Sequence, residues 1–146
     1  MKPLPGSVEA FLAEPLLATL TTIRPDGSPH VVPVRFTWDG AAGLARVMTM
    51  ASSRKARNLV AAPGSRAVLC QAAGFRWITL EGTATVRADP LRVAEGVHRY
   101  TARYGSPPPE PPDRIVVEGA SRSARPSSSR CPGRSSRKVA VRSSRR

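Results

Sequence analysis

Short β-type segments separated by turn residues recur along this chain, and they constrain its fold more than any other feature. Residues 16–23 are rich in β-branched and apolar side chains, and residues 24–28 contain the Pro-Asp-Gly sequence that favours a tight turn. In residues 30–38 the side chains alternate between two faces, with His30 and Trp38 on one of them. This pattern predicts that the second segment returns antiparallel to the first as a neighbouring strand.

Four further strands and three helices complete the predicted fold. Glu81 and Gly82 interrupt the fifth strand and indicate a β-bulge. The third helix begins with the capping pair Asp89-Pro90 and carries an apolar stripe that needs a sheet to cover it. The strands are expected over residues 44–50, 66–72, 77–86 and 114–118, and the helices over residues 8–13, 53–62 and 90–104. The chain is therefore expected to be mainly β with a few helices, an α+β fold with six antiparallel strands.

The end of the chain differs in composition from the rest. Residues 119–146 contain no Leu, Ile, Phe, Tyr or Trp, but they hold 9 of the 23 basic residues and none of the 10 acidic ones. Of the net charge of +13, +9 therefore belongs to this segment and +4 to residues 1–118. Such a segment cannot bury enough apolar surface to offset the entropy of ordering it. We expect a domain over residues 1–118 with a truncated last strand, followed by a disordered Arg/Ser-rich tail.

Two explanations account for this tail. A functional tail would bind nucleic acid or another polyanion without sequence specificity, and this binding would weaken with salt. Alternatively, the reading frame has shifted near Glu118, because GC-rich coding DNA read out of frame tends to yield Arg, Ser, Ala, Pro and Gly. The strand that starts at Ile115 loses its alternation in mid-course. We favour the frameshift, and an intact frame in the gene would refute it.

Three cations crowd the predicted start of the second helix, which follows Ser53. Arg54, Lys55 and Arg57 would repel the partial positive charge of this helix end unless an anion lies between them. A phosphate or carboxylate ligand is therefore one interpretation, to which Asn58 could add an amide donor. A solvated helical face with an ordinary surface asparagine is the other interpretation.

The second predicted strand supplies a candidate binding edge. Pro33 cannot donate a ladder hydrogen bond, so the strand around it is expected at a sheet edge or in a bulge, with His30 exposed beside it. Arg76 and Trp77 begin the fifth strand. A core position is the commoner one for tryptophan, but this pair could also stack on a planar ring and hold its carboxylate.

Several classes of protein are disfavoured by what the sequence lacks. His30 and His98 are the only histidines and have no ligand-type neighbours, so no metal site is expected. Cys70 and Cys131 do not suggest a disulfide framework. No nucleophile elbow, P-loop or G-x-G-x-x-G motif occurs, which argues against serine hydrolases, P-loop NTPases and Rossmann dehydrogenases. Because residues 14–15 interrupt the apolar stretch near the N-terminus, we expect a soluble cytoplasmic protein without a membrane segment.

These motifs together resemble a known family. The chain contains Leu-Leu-Ala-Thr-Leu-Thr-Thr at residues 16–22, Pro-Asp-Gly-Ser-Pro-His-Val-Val-Pro-Val at 25–34, Ser-x-Lys-Ala-x-Asn at 53–58 and Trp-Ile-Thr-Leu-Glu-Gly-Thr-Ala at 77–84. From about residue 9 to residue 118 it resembles the pyridoxamine 5′-phosphate oxidase-like split β-barrels. Among them it resembles the B group of flavin/deazaflavin oxidoreductases, in particular the F420-dependent biliverdin reductases. The resemblance implies an FMN-binding-like split β-barrel and a homodimer with two clefts at the subunit interface.

The resemblance also assigns roles to residues of this chain. It implies that the cofactor phosphate binds at Arg54, Lys55, Arg57 and Asn58 and that residues 30–33 run along the cofactor ring. Arg76 and Trp77 would reach the cofactor from the other subunit, with Arg76 or solvent as the candidate proton donor. No further catalytic side chain is expected, because the cofactor carries the chemistry. The expected cofactor-binding residues are His30, Val31, Val32, Pro33, Thr49, Ser53, Arg54, Lys55, Arg57, Asn58, Arg76 and Trp77.

The activity implied by the resemblance is an F420-dependent oxidoreduction. A hydride passes from the reduced deazaflavin to a small conjugated acceptor such as biliverdin, a linear tetrapyrrole. Coenzyme F420 carries a phosphate and an oligoglutamate tail, so a cationic groove suits it better than FMN, the alternative cofactor. A split-barrel carrier that holds F420, FMN or haem without turnover is the second hypothesis. A polyanion-binding protein that acts through residues 119–146 is the third.

Overall fold

Three helices and seven strands make up the part of the protein that the computed structural model describes, residues 2–127. They follow one another as α1 (Gly6–Ala13), β1 (Ala18–Ile23), β2 (Pro29–Val34), β3 (Thr37–Asp39), β4 (Leu44–Met50), α2 (Arg54–Ala61), β5 (Arg66–Ala73), β6 (Arg76–Arg87), α3 (Pro90–Tyr104) and β7 (Arg114–Pro126). The strands form one sheet in the order β2-β1-β5-β6-β7-β4-β3, and all neighbours are antiparallel. The prediction of a mainly β, α+β fold with an antiparallel sheet is confirmed. None of these three helices is both long and apolar enough to cross a bilayer.

The predicted second strand is two strands, so the sheet has seven strands rather than six. β2 ends at Val34 and pairs with β1, whereas β3 begins at Thr37 and pairs with β4 at the opposite edge of the sheet. Arg35 and Phe36 make the crossing between the two edges. The Tyr104 hydroxyl accepts from the Phe36 N–H and donates to its carbonyl oxygen, each at 3.1 Å, and thereby fixes the crossing.

The sheet curves around one hydrophobic core. Side chains of β1, β4, β5, β6 and β7 line a narrow interior void of about 30 Å³, so these five strands share one interior. α1 adds Phe11 and Leu12 to the core, and α2 adds Leu59. Removal of these apolar side chains from water is the main force that holds the helices against the sheet.

A buried ion network lies between α3 and the strands β3, β4 and β7. Arg46 of β4 donates to Asp39 of β3 at 3.0 Å and to Glu118 of β7 at 3.4 Å. All three residues are less than a tenth exposed. From α3, Arg99 pairs with Asp39 at 3.0 Å, and Arg92 pairs with Glu118. Because buried charges need partners, this network fixes how α3 lies against the sheet.

The last strand continues past Glu118, where the sequence predicted its truncation. β7 spans Arg114–Pro126, and its second half pairs with β6, so that Ala124, for example, lies opposite Leu80. Backbone pairing does not require apolar side chains, which explains why a segment of Arg, Ser and Ala completes this strand. Residues 128–146, and the disorder expected for them, lie outside the described residues.

A β-bulge shapes the contact between β6 and β7. The register shifts between Glu81 and Gly82, which confirms the bulge that the sequence predicted. A Cβ atom on Gly82 would overlap the carbonyl oxygen of Ala120. The two strands therefore approach each other so closely here that only glycine fits.

Candidate functional site

A cleft of about 400 Å³ lies among the start of α2, the strands β2 and β4, and the connector between α3 and β7. β2 contributes Pro33 to its lining, and β4 contributes residues 47–50. Three prolines of the connector, residues 107–112, also line it. Lys55 of α2 and Tyr100 of α3 are further members of the lining. Because β4 leads into α2 through a short turn, the cleft meets the N-terminal end of a helix.

Hydrogen bonds hold the junction between β4 and α2 in place. Ser53 is the N-cap of α2, and its hydroxyl oxygen accepts a hydrogen bond from the Ala56 N–H at 3.4 Å. The Thr49 hydroxyl donates to the Ser53 hydroxyl at 3.3 Å. Just before the helix, the Ser52 N–H donates to the Asp113 carboxylate at 3.0 Å. Thr49 and Ser53, both predicted as site residues, therefore position the helix start, and Thr49 also lines the cleft.

The start of α2 carries positive charge that lacks an acidic partner. Arg54 and Arg57 are exposed and Lys55 is half-buried, and within residues 2–127 none of the three pairs with a carboxylate. The first turn of the helix contains no acidic residue. Burial lowers the pKa of Lys55, because a desolvated ammonium group without a counter-ion is destabilised. The cations and the helix N-terminus together form an electropositive site of the kind that binds anions.

His30 lies in the same electropositive region. It is half-buried, and its Nδ1 atom has no hydrogen-bond partner in the described part of the chain. Burial lowers the pKa of His30. The positive charges of Arg24, Lys55 and Arg54 lower this pKa further, so the imidazole is neutral near pH 7. Its Nδ1 atom is buried and leaves one hydrogen-bonding position of the ring unused within the described residues.

β2 lies at an edge of the sheet, one of the two positions that Pro33 predicted. Pro33 lies opposite Thr19 of β1 and lines the cleft. Val32 packs partly against the core, whereas Val31 is 57% exposed. Of the four residues predicted to run along the cofactor ring, Pro33 therefore lies in the cleft and His30 lies near the cations.

Of the twelve predicted site residues, Pro33, Thr49 and Lys55 line the cleft of the single chain, and nine do not, among them Asn58, Arg76 and Trp77. Asn58 is buried on the inner face of α2, where its amide nitrogen donates to the Thr22 hydroxyl at 3.1 Å, so it ties α2 to β1. Arg76 donates two hydrogen bonds to the Glu14 carboxylate, at 2.6 and 3.1 Å. Trp77 follows Arg76 and is 41% exposed. The contribution of Arg76 and Trp77 to the site of a partner subunit remains a prediction.

The cleft also contains residues that the sequence did not indicate as functional. Arg35 lines it, and its guanidinium donates to the Tyr100 hydroxyl at 3.0 Å. In a strand of period two, Arg35 shares a face with Pro33, and this spacing is the signal that could have indicated it. The proline connector carries no comparable signal, because its place beside the cleft depends on how α3 and β7 pack.

Comparison with known proteins supports this assignment of the fold. Residues 4–126 match the family described as pyridoxamine 5′-phosphate oxidase. The chain belongs to this family. Its membership confirms the split-barrel fold that the sequence motifs predicted.

Individual proteins similar to this chain narrow the comparison within the pyridoxamine 5′-phosphate oxidase family. The F420H(2)-dependent biliverdin reductase of Mycobacterium tuberculosis (strain CDC 1551 / Oshkosh) is 49% identical over 109 residues, which cover 75% of this chain and 77% of that protein. A solved structure described as an F420 reductase is 27% identical with a TM-score of 0.65, and the match covers 84% of this chain and 98% of that one. The solved structure of a conserved hypothetical protein from Mycobacterium tuberculosis is 24% identical with a TM-score of 0.70, and the match covers 84% of each chain. This match shows a similar fold.

Proposed function

We propose that this protein is an oxidoreductase that uses coenzyme F420 to reduce a conjugated acceptor. One observation carries the proposal: the cleft meets the start of α2, where Arg54 and the half-buried Lys55 have no carboxylate partner among the described residues. Such a site suits a phosphate or a carboxylate. The 49% identical relative is an F420H(2)-dependent biliverdin reductase, which supports this cofactor and makes biliverdin the first acceptor to test.

The residues beside the cleft fit the chemical groups of F420. The phosphate needs N–H donors and cations, and the capped first turn of α2 supplies both through Arg54 and Lys55. The oligoglutamate tail carries additional negative charges. Arg24 and Arg57 extend the positive region in which such a tail would lie. FMN has a phosphate but no acidic tail, so the surplus of cations favours F420, with FMN as the alternative cofactor.

In the proposed reaction the role of the protein is to bind and orient the cofactor and the acceptor and to exclude water. The deazaflavin, when bound, supplies the hydride that the acceptor receives. Residues 31–33 of the β2 edge are proposed to pack against the ring, and Met48 and Met50 give the cleft an adaptable apolar surface. His30, which lies next to these residues on β2, is proposed to contact the same ring.

The proton that completes the reduction is proposed to come from solvent. Arg76, the donor named by the sequence resemblance, makes two hydrogen bonds to Glu14, and this pairing raises the pKa of its guanidinium. A guanidinium whose pKa is raised is a poor acid. The ionisable side chains in the described lining of the cleft, Arg35, Lys55 and Tyr100, are assigned to binding and positioning, so water is the proposed donor.

We further propose that two chains associate to complete each site. Phe75 is 95% exposed and Val31 is 57% exposed, so the single chain leaves large apolar side chains in water. Arg76 and Trp77 lie beside Phe75 on the β5–β6 hairpin, from which they would approach the cofactor of the other subunit. Light scattering of the purified protein tests this, since the mass of one chain would contradict it.

Titration of the protein with F420 and with FMN, monitored by fluorescence quenching, tests which cofactor it binds. We expect the parent protein to bind F420 more tightly than FMN. We expect Lys55→Ala to lose about 1.5–3 kcal/mol of F420 binding, the contribution of a hydrogen bond to a charged group. Arg66→Ala is the control, because Arg66 is also a surface cation but pairs with Glu81 outside the cleft. Equal F420 affinities of the parent and Lys55→Ala would remove Lys55 from the site.

Reduction of an acceptor separates an enzyme from a carrier. Biliverdin is added to the complex of the protein with reduced F420, and the loss of its visible absorbance is followed. Turnover that depends on F420 supports the reductase. Tight cofactor binding without reduction of biliverdin or another conjugated acceptor would instead favour a split-barrel carrier.

A further inference from the structure

Arg35 is a cation in the cleft that the proposed cofactor site leaves unused. It belongs to the crossing between β2 and β3, and its side chain lines the cleft together with Tyr100 and the proline connector. Among residues 2–127 it has no carboxylate partner. The fold neutralises other arginines in the same region, since Arg46 and Arg99 both pair with Asp39. Arg35 is exposed, so its charge faces the cleft uncompensated and open to an anionic ligand group.

Two tyrosines hold the guanidinium of Arg35 in place. It donates to the Tyr100 hydroxyl at 3.0 Å. Its central carbon lies 4.9 Å from the ring centroid of Tyr104 and 5.9 Å from that of Tyr100. The Tyr104 hydroxyl is itself anchored at 3.1 Å from the backbone carbonyl oxygen of Leu16. Stacking and hydrogen bonding to neutral rings fix the direction of the guanidinium without cancelling its charge.

The rest of the cleft has the character of a site for a flat apolar molecule. Met48 and Met50 line it with thioether side chains, and Met50 is 44% exposed. Pro108 and Pro109 add a stiff apolar surface. A ligand with a conjugated body and a carboxylate side chain would match this surface and Arg35 together.

We propose that Arg35 binds a carboxylate of the acceptor, so that the enzyme takes conjugated acceptors with carboxylate side chains. The inference rests on the proposed reductase function and adds the substrate class and a residue that selects it. Lys55 binds the anionic end of the cofactor, and Arg35 binds the anionic end of the acceptor. Tyr100 is a positioning residue that acts through Arg35.

Binding to the cofactor-free protein tests the role of Arg35 without turnover. The probes are biliverdin, which has two propionate groups, and its dimethyl ester, which keeps the conjugated system but not the charges. Quenching of the fluorescence of the two tryptophans gives both dissociation constants. We expect the parent to bind the diacid about tenfold more tightly than the ester, and Arg35→Gln to lose this preference. Arg66→Gln, which changes an arginine outside the cleft, should keep it.

Turnover with reduced F420 gives a second readout. In Arg35→Gln we expect KM for biliverdin to rise about tenfold with little change in kcat, while KM for the dimethyl ester stays the same. Tyr100→Phe removes the hydroxyl that orients Arg35, so it should raise KM for the diacid by a smaller factor. Arg35→Lys should recover part of the preference for the diacid, because it restores the charge without the planar group.

The outcomes separate this inference from the proposed function. Failure of the protein to bind F420 would refute the proposed function, while the binding comparison between diacid and ester would still test Arg35. An equal loss of affinity for both probes in Arg35→Gln, or an unchanged preference for the diacid, overturns the inference. If Lys55→Ala loses the preference and Arg35→Gln keeps it, the carboxylate binds at the cofactor end and the inference is wrong. Absence of biliverdin binding to the parent protein also overturns it.

Discussion

Replacing Glu118 by glutamine measures what the buried ion network contributes to stability. Glu118 is 5% exposed and accepts hydrogen bonds from Arg46, at 3.4 Å, and from Arg92. Glutamine keeps the shape and one acceptor oxygen but removes the negative charge. Removal of one partner from a buried ion pair destabilises a protein by about 3–5 kcal/mol. Because Arg46 keeps its bond to Asp39, we expect the lower end of this range, about 3 kcal/mol.

Urea unfolding, followed by far-ultraviolet circular dichroism, measures this loss. We expect a lower midpoint with an unchanged slope, and a melting temperature lower by roughly 10 °C. Glu110→Gln is the matched control, because Glu110 also pairs with an arginine, Arg114, at 3.4 Å but is 82% exposed. An exposed pair contributes little, so the control should melt like the parent. If Glu118→Gln lost no more stability than Glu110→Gln, the argument from burial would be refuted.

Two further predictions concern the sheet and the response to acid. Gly82→Ala should destabilise the fold by about 2 kcal/mol or more, because the added methyl group overlaps the backbone of Ala120. Gly6→Ala, whose Cβ meets nothing within 4 Å, is its control, and equal melting temperatures of the two variants would contradict the prediction. Burial by itself raises the pKa of Asp39, but hydrogen bonds and nearby positive charge outweigh it and hold this pKa below the ordinary value of 3.8. The stabilisation from Asp39 should therefore be complete above about pH 4 and be lost as the pH falls below this value. The melting temperatures of the parent and Asp39→Asn should then converge in acid. A difference in melting temperature that stays constant with pH would contradict the prediction.

Features that depend on local chemistry could be predicted from the sequence. In the turn between β1 and β2, Gly27 adopts a φ of 84°, which favours glycine, and the Asp26 carboxylate accepts from the Ser28 N–H at 2.9 Å. The start of α3 follows the same logic, since the Asp89 side chain caps the N–H of Arg92. Each of these interactions joins residues only a few positions apart. The residue types alone are therefore enough to indicate them.

Features that depend on distant contacts could not be predicted in the same way. In the sequence, apolar and other side chains alternate through residues 30–38, although the chain crosses from one sheet edge to the other. The crossing leaves no signal because apolar side chains are at least partly buried at both edges, for example Val34 in β2 and Trp38 in β3. Asn58 has the polarity of a surface residue, yet Thr22 supplies a partner inside the fold. Arg76 likewise donates a hydrogen bond to Glu14, which the tertiary structure brings close to it. These partners lie far away in sequence, so no local pattern identifies them.

The continuation of β7 past Glu118 could not be predicted for a related reason. The segment consists mostly of Arg, Ser, Gly and Ala and lacks the apolar side chains that indicate a strand. Its place in the sheet depends instead on β6, with which β7 pairs as far as Pro126, whereas the pairing with β4 ends at Ala120. Backbone hydrogen bonds to this long neighbouring strand extend β7 without a contribution from apolar side chains.

The proline connector beside the cleft has a consequence for the exchange of ligands. Of residues 107–112 only Glu110 carries a backbone N–H group, so this side of the cleft offers a surface but almost no hydrogen-bond donors. Prolines also restrict the backbone, so this surface keeps its shape whether or not a ligand is present. A molecule that leaves the cleft is therefore expected to break few hydrogen bonds to the connector, and under the proposed function its residence time depends on the charges that it presents to Lys55 and Arg35. Under the proposed function, new acceptor preferences are accordingly expected to arise by changes at a few polar positions, because the connector presents the same rigid surface to every ligand.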